Sequence, residues 1–157
     1  MNDINLRGTY LCSKMCLQYL KKSANPHILN LSPPISLKPK WFEKFTAYTI
    51  AKFGMSMCVI GMSAEFKKYG VAVNALWPKT TIDTAAIRML GGVVKPEQCR
   101  TVEILSDTAF YVLKRDSKKF TGNFYIDEEV LAQEGIKDLD KYSVKSGEKL
   151  YTDLYLD

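Results

Sequence analysis

The chain has 157 residues, 46% of them hydrophobic, with 22 basic and 17 acidic residues and a formal net charge of +5. That is one domain's length with enough apolar content for a packed core, which excludes wholesale disorder. The lysine pairs at Lys21-Lys22, Lys67-Lys68 and Lys118-Lys119 are too dispersed for a nucleic-acid stripe, and no apolar run of ~20 residues argues for a membrane span.

Residues 2–22 carry Leu6, Tyr10, Leu11, Met15 and Leu20 at helical spacing, and Ser23-Ala-Asn-Pro26 stops that helix. Residues 27–32, His-Ile-Leu-Asn-Leu-Ser, read as a strand, and Pro33, Pro34 and Pro39 make the next segment a loop. Residues 45–69 read as a long helix. Its middle, Phe53 to Met62, is apolar almost all round, as expected of a helix buried on more than one side. Gly54 and Gly61 would let a second helix approach closely. Residues 71–77 form a second strand, β-branched and apolar as buried parallel strands are. The segment 78–100 is irregular, with a short helix over Thr84–Leu90, and Gly91-Gly92 and Pro96 mark it as mobile. A helix over 101–114 and a strand over 122–127 follow. From Ile136 the chain turns polar and lysine-rich, which reads as a tail or linker over 136–157 after a domain over 1–135.

A helix between two buried strands predicts a right-handed crossover and a parallel α/β sheet. Tyr48 and Lys52, four apart, share one face of that helix, close to strand ends. The spacing alone is weak: with 9 tyrosines and 22 lysines plus arginines, about one such pair arises by chance. Tyr10 and Lys14 form a second pair, with no strand before it, and read as a helix-surface pair. Cys12, Cys16, Cys58 and Cys99 have no metal-ligand spacing, and His27 is the only histidine, so no metal site is expected. The thiols read as reduced core or interface residues.

Five ordered stretches, Asn5-Leu-Arg-Gly8, Ile28-Leu-Asn-Leu-Ser32, Tyr48-Thr-Ile-Ala-Lys52, Asn74-Ala-Leu-Trp-Pro78 and Phe120-Thr-Gly-Asn-Phe-Tyr-Ile-Asp127, resemble the second half of a short-chain dehydrogenase/reductase. The resemblance implies an incomplete doubly wound, Rossmann-like parallel sheet. It implies an oxidoreductase acting on a carbonyl or alcohol, lipid- or steroid-like, with NADP or NAD. Tyr48 would exchange the proton and Lys52 would favour its phenolate and bind the nicotinamide ribose. Ser32 would hydrogen-bond the carbonyl oxygen, and Asn5 would hold a water relaying protons to Lys52. Pro78, Thr80 and Thr84 would lie by the nicotinamide amide and phosphate. Helices 2–22 and 45–69 would build a homo-oligomer interface, and the location would be peroxisomal or mitochondrial.

Several departures accompany the resemblance. The 9 glycines include no Gly-x-x-x-Gly-x-Gly or Gly-x-Gly-x-x-Gly phosphate turn. Pro33 follows Ser32 where many members have the active serine, and Lys79 follows Pro78 where the family commonly has glycine. The chain is therefore expected to be a fragment or truncated product with impaired catalysis. The alternative is a non-catalytic remnant acting as a helix-mediated dimerisation module.

Overall fold

The computed structural model describes residues 1–89 and 92–156. Leu90, the expected end of the short helix, Gly91 of the Gly-Gly pair and the terminal Asp157 lie outside the described residues. The chain divides into two compact units, Met1–Trp77 with Leu113–Tyr125, and Pro78–Val112 with Ile126–Asp157.

The first unit begins with a π-helical turn, Asp3–Arg7, that runs directly into helix α1, Gly8–Leu20. Strand β1, His27–Leu31, follows, then helix α2, Thr46–Phe66, and a 3₁₀ turn at Lys67–Tyr69. Gly70 ends that turn at φ 69°, a left-handed position that glycine adopts without steric cost. Strand β2, Ala72–Trp77, is buried along its whole length because it is the middle strand of the order β1-β2-β3, with β3 at Phe124–Ile126. Strands β1 and β2 are parallel, in a register that runs from His27 against Ala72 to Leu31 against Leu76. The expected α/β, Rossmann-like parallel arrangement is therefore the one observed.

Helix α2 packs on both strands, and the π turn and α1 pack on α2. Val59, Met62 and Phe66, at helical spacing, meet Leu17 of α1 and Val71, Val73 and Ala75 of the β2 region. The opposite side of α2 is apolar too but faces outward: Ile50, Met57 and Ile60 are each about half exposed. Of the two glycines expected to permit close approach, only Gly54 is approached within the chain. A Cβ there would stand 2.9 Å from Leu6 Cδ1, whereas one at Gly61 would meet nothing within 4 Å among the described residues.

The second unit holds helix α3, Ala85–Met89, most of helix α4, Glu103–Lys114, and helix α5, Asp127–Gln133. Sequence reading missed α5, although Asp127-Glu128-Glu129 ahead of Val-Leu-Ala is an acidic helix start. Ile82, Ile104, Leu131 and Tyr142 form its core. The polar segment expected as a tail or linker carries buried Tyr142 and Tyr155. Short bridges tie Thr152 to Thr80 and Ser143 to Arg100.

Candidate active site

Ser32 stands immediately after β1, fully buried. Its N–H donates to the Asn30 carbonyl at 3.0 Å, a tight reversal that ends the strand. Its hydroxyl has no hydrogen-bond partner among the described residues. A buried hydroxyl left unpaired costs ~1–3 kcal/mol, so each calls for an explanation, of which a water, an ion or a catalytic role are the usual ones.

Lys52 reaches this strand end from α2. Its ammonium donates to the Leu31 carbonyl at 3.0 Å, one residue before Ser32, and lies 5.2 Å from the centre of the Trp77 ring. Lys52 is thus bracketed by the C-terminal ends of β1 and β2, where open α/β sheets place their ligands. Tyr48, one helical turn earlier on α2, is half-buried.

Two residues that sequence reading passed over hold this corner together. Ser56 is buried on α2 and donates to the Pro33 carbonyl at 2.6 Å, pinning the loop after Ser32 to the helix. Thr49, also buried, donates to the Trp41 carbonyl at 2.5 Å and fastens the loop that leads into α2. The signal for Ser56 was present: a small polar residue four positions after Lys52, inside an apolar helix.

Asn5 lies inside the π turn, an irregularity often found at functional positions. Its amide Nδ2 and its backbone N–H both donate to the Met1 carbonyl, at 3.1 and 3.0 Å. Leu6, beside it, fills the gap over Gly54 and sets the turn against α2. The second tyrosine–lysine pair is differently employed: Lys14 bridges to Glu65 of α2 at 2.7 Å, which raises the Lys14 pKa, and Tyr10 is exposed.

The remaining expected residues, Pro78, Thr80 and Thr84, belong to the second unit. Pro78 is buried. Thr80 is buried, with a hydroxyl that has no partner among the described residues. Thr84 is exposed just before α3, and its carbonyl accepts the Arg88 N–H at 3.2 Å. Buried Asp127 was not foreseen: its Oδ1 accepts the N–H groups of Lys79 and Glu128, each at 2.8 Å. Among the described residues no group of three or more His, Cys, Asp or Glu could hold a metal ion. No described helix is long and apolar enough to cross a membrane.

The sequence pattern of the family described as short chain dehydrogenase matches residues 1–90. Hydroxysteroid dehydrogenase-like protein 2 of Danio rerio is 59% identical over all 157 residues, which span 37% of that protein. A putative dehydrogenase from Xanthomonas campestris, a solved structure, is 49% identical with a TM-score of 0.95 over 99% of this chain and 57% of its own. A short chain dehydrogenase from Mycobacterium thermoresistibile is 43% identical, with a TM-score of 0.90 over 99% of this chain and 55% of its own. The chain therefore spans little more than a third of its curated relative's length.

Proposed function

Because the chain belongs to the short-chain dehydrogenase family, we propose that it carries the substrate-activating part of an NAD(P)-dependent oxidoreductase that interconverts a carbonyl and an alcohol. The observation that carries this is the Ser32 hydroxyl, buried and without a partner among the described residues, beside the strand-end carbonyl that Lys52 holds. A substrate carbonyl oxygen is the acceptor that this hydroxyl lacks. Tyr48 gives a proton to that oxygen in reduction and takes it back in oxidation. The Lys52 ammonium, one helical turn on, favours the phenolate form of Tyr48 and so eases both transfers. Asn5, in its π turn, holds a water that relays protons to Lys52.

The nicotinamide, when bound, supplies or takes up the hydride. Lys52 and Tyr48 would bind its ribose, and Pro78, Thr80 and Thr84 its amide and phosphate. The Thr80 hydroxyl, without a partner among the described residues, is consistent with that assignment. The name of the Danio rerio relative supports a steroid- or lipid-like substrate, and family resemblance a peroxisomal or mitochondrial location.

A second reading, a helix-mediated dimerisation module without catalysis, draws on the exposed Ile50, Met57 and Ile60. Kinetics of the protein with NADPH or NADH and a panel of ketosteroids and aliphatic ketones separates the two. Tyr48→Phe is expected to lower kcat/KM by ~10²–10⁴-fold with little change in Tm, and Tyr10→Phe to leave both unchanged. Undiminished turnover in Tyr48→Phe would refute the catalytic assignment.

A further inference from the structure

Thr80 is held more firmly than a surface loop residue needs to be. On one side of it, the Lys79 N–H donates to Asp127 Oδ1 at 2.8 Å, and the Lys79 carbonyl accepts the Asp153 N–H at 3.1 Å. On the other side, the Thr81 N–H donates to the Tyr151 carbonyl at 2.9 Å, and the Thr81 carbonyl accepts the Arg100 N–H at 2.9 Å. Thr80 itself pairs with Thr152 in an antiparallel bridge. Every peptide group of Lys79 and Thr81 is therefore bonded.

The groups that do the holding are themselves fixed. Arg100 is buried, with Nε and Nη2 donating to Glu128 Oε1 at 3.1 and 2.8 Å and Nη1 to the Leu139 carbonyl at 2.7 Å. Asp127 accepts the Glu128 N–H at 2.8 Å on the oxygen that holds Lys79. The Tyr151 N–H donates to the Gln98 carbonyl at 3.0 Å, and Tyr155, buried, anchors the end of the segment. Two buried side-chain oxygens in this frame have no partner among the described residues, Asp127 Oδ2 and the hydroxyl of Thr80, a residue that is 8% exposed. Backbone bonds spent on both neighbours of an unpaired buried hydroxyl are the economy of a preorganised ligand contact, in which the ordering cost is met before binding.

We infer that Asp127 and the extended segment 151–153 are positioning groups that clamp Lys79 and Thr81 and so aim the Thr80 hydroxyl at the nicotinamide end of the cofactor. This rests on the proposed cofactor role of Thr80. It gives the segment beyond Ile136 a part in cofactor binding, through backbone bonds rather than through side chains that touch the cofactor.

The test is a double-mutant cycle on the protein. Dissociation constants for NADPH and NADH are measured by calorimetry, with thermal unfolding of every variant. Thr80→Val is expected to weaken the tighter cofactor about fivefold, the worth of one hydrogen bond. Asp127→Ala should weaken it similarly, and Asp127→Asn, which keeps an oxygen for the Lys79 N–H, should stay within about twofold. In the Thr80→Val background, Asp127→Ala should add less than about twofold, because the two act as one unit. Asp153→Pro, which deletes the N–H on the Lys79 carbonyl, should weaken binding about fivefold, and Asp153→Ala, which keeps it, should not. If Asp127→Ala fails to fold, the Asp153 pair decides the matter. No effect of Thr80→Val would overturn the cofactor assignment itself. A full effect of Thr80→Val with none from Asp127→Ala or Asp153→Pro would overturn the clamp alone. Additive losses in the cycle would also overturn it, since they would mean general destabilisation.

Discussion

The Asp127 carboxyl shows how one residue's surroundings can be turned into a measurement. Burial pushes its pKa up from 3.8 to about 6, against the pull of the Lys79 and Glu128 N–H groups. The folded protein therefore holds this proton more tightly than the unfolded chain does. Its contribution to stability is fully present below pH ~4 and is lost as pH rises through about 6, on the order of 3 kcal/mol in all. Asp127→Asn does not titrate, so its stability relative to the native protein should grow between pH 4 and pH 8. Urea unfolding of both proteins at the two pH values checks this, and an unchanged difference would sink it. Residue-level legibility was uneven for the same physical reason. That Tyr48 and Lys52 lie one turn apart on one helix was readable because a helix repeats every 3.6 residues. Asp127 meets Lys79 across 48 residues and Ser56 meets Pro33 across 23, and no local pattern encodes either contact.

At the scale of elements, the crossover β1-α2-β2 was legible because each part is long and strongly patterned. The π turn at Asp3–Arg7 was not: Leu6 within it lies against Gly54, a contact across 48 residues that no local pattern encodes. Helix α5 and the bridged segment 150–153 are short and polar, and tertiary bonds fix them. The two glycines of α2 provide a matched test of how close the π turn sits. Gly54→Val places branched carbons where Leu6 Cδ1 is already 2.9 Å from an ideal Cβ, and is expected to cost ~1–3 kcal/mol. Gly61→Ala meets open space, and in dilute solution should stabilise the helix by ~0.5–1 kcal/mol. Denaturant unfolding at low protein concentration reads both, and equal effects at the two sites would contradict the packing described.

At the scale of the whole molecule, two exposed surfaces can be tested for association. The outward side of α2 exposes Ile50, Met57 and Ile60, and α1 exposes Leu11, Met15 and Tyr19. Large exposed apolar patches are one signature of association sites. Met57→Glu with Ile60→Glu is expected to shift the protein to a smaller species in sedimentation velocity, and an unchanged profile would remove these helices as the interface. The other surface is the β1 edge of the sheet. There Leu31 is 50% exposed, and His27 Nδ1 and Asn30 Nδ2 are buried without partners among the described residues. Such an edge invites pairing with a further strand. Pyrophosphate affinity in this architecture comes from backbone N–H groups of a glycine-rich turn and from the helix dipole behind it, and none of the 9 glycines stands in such a pattern. Residues 1–157 alone are thus expected to bind NADPH or NADH only weakly, in the millimolar range or beyond, where one end of a dinucleotide must supply all the affinity. Adding, in trans, a polypeptide that carries a glycine-rich first half of the same family should tighten binding and order the β1 edge together. Calorimetric titration of the 157-residue chain, with and without that polypeptide, makes the comparison. A low-micromolar constant for the chain alone, with turnover that Tyr48→Phe abolishes, would show that the nicotinamide end of the site suffices.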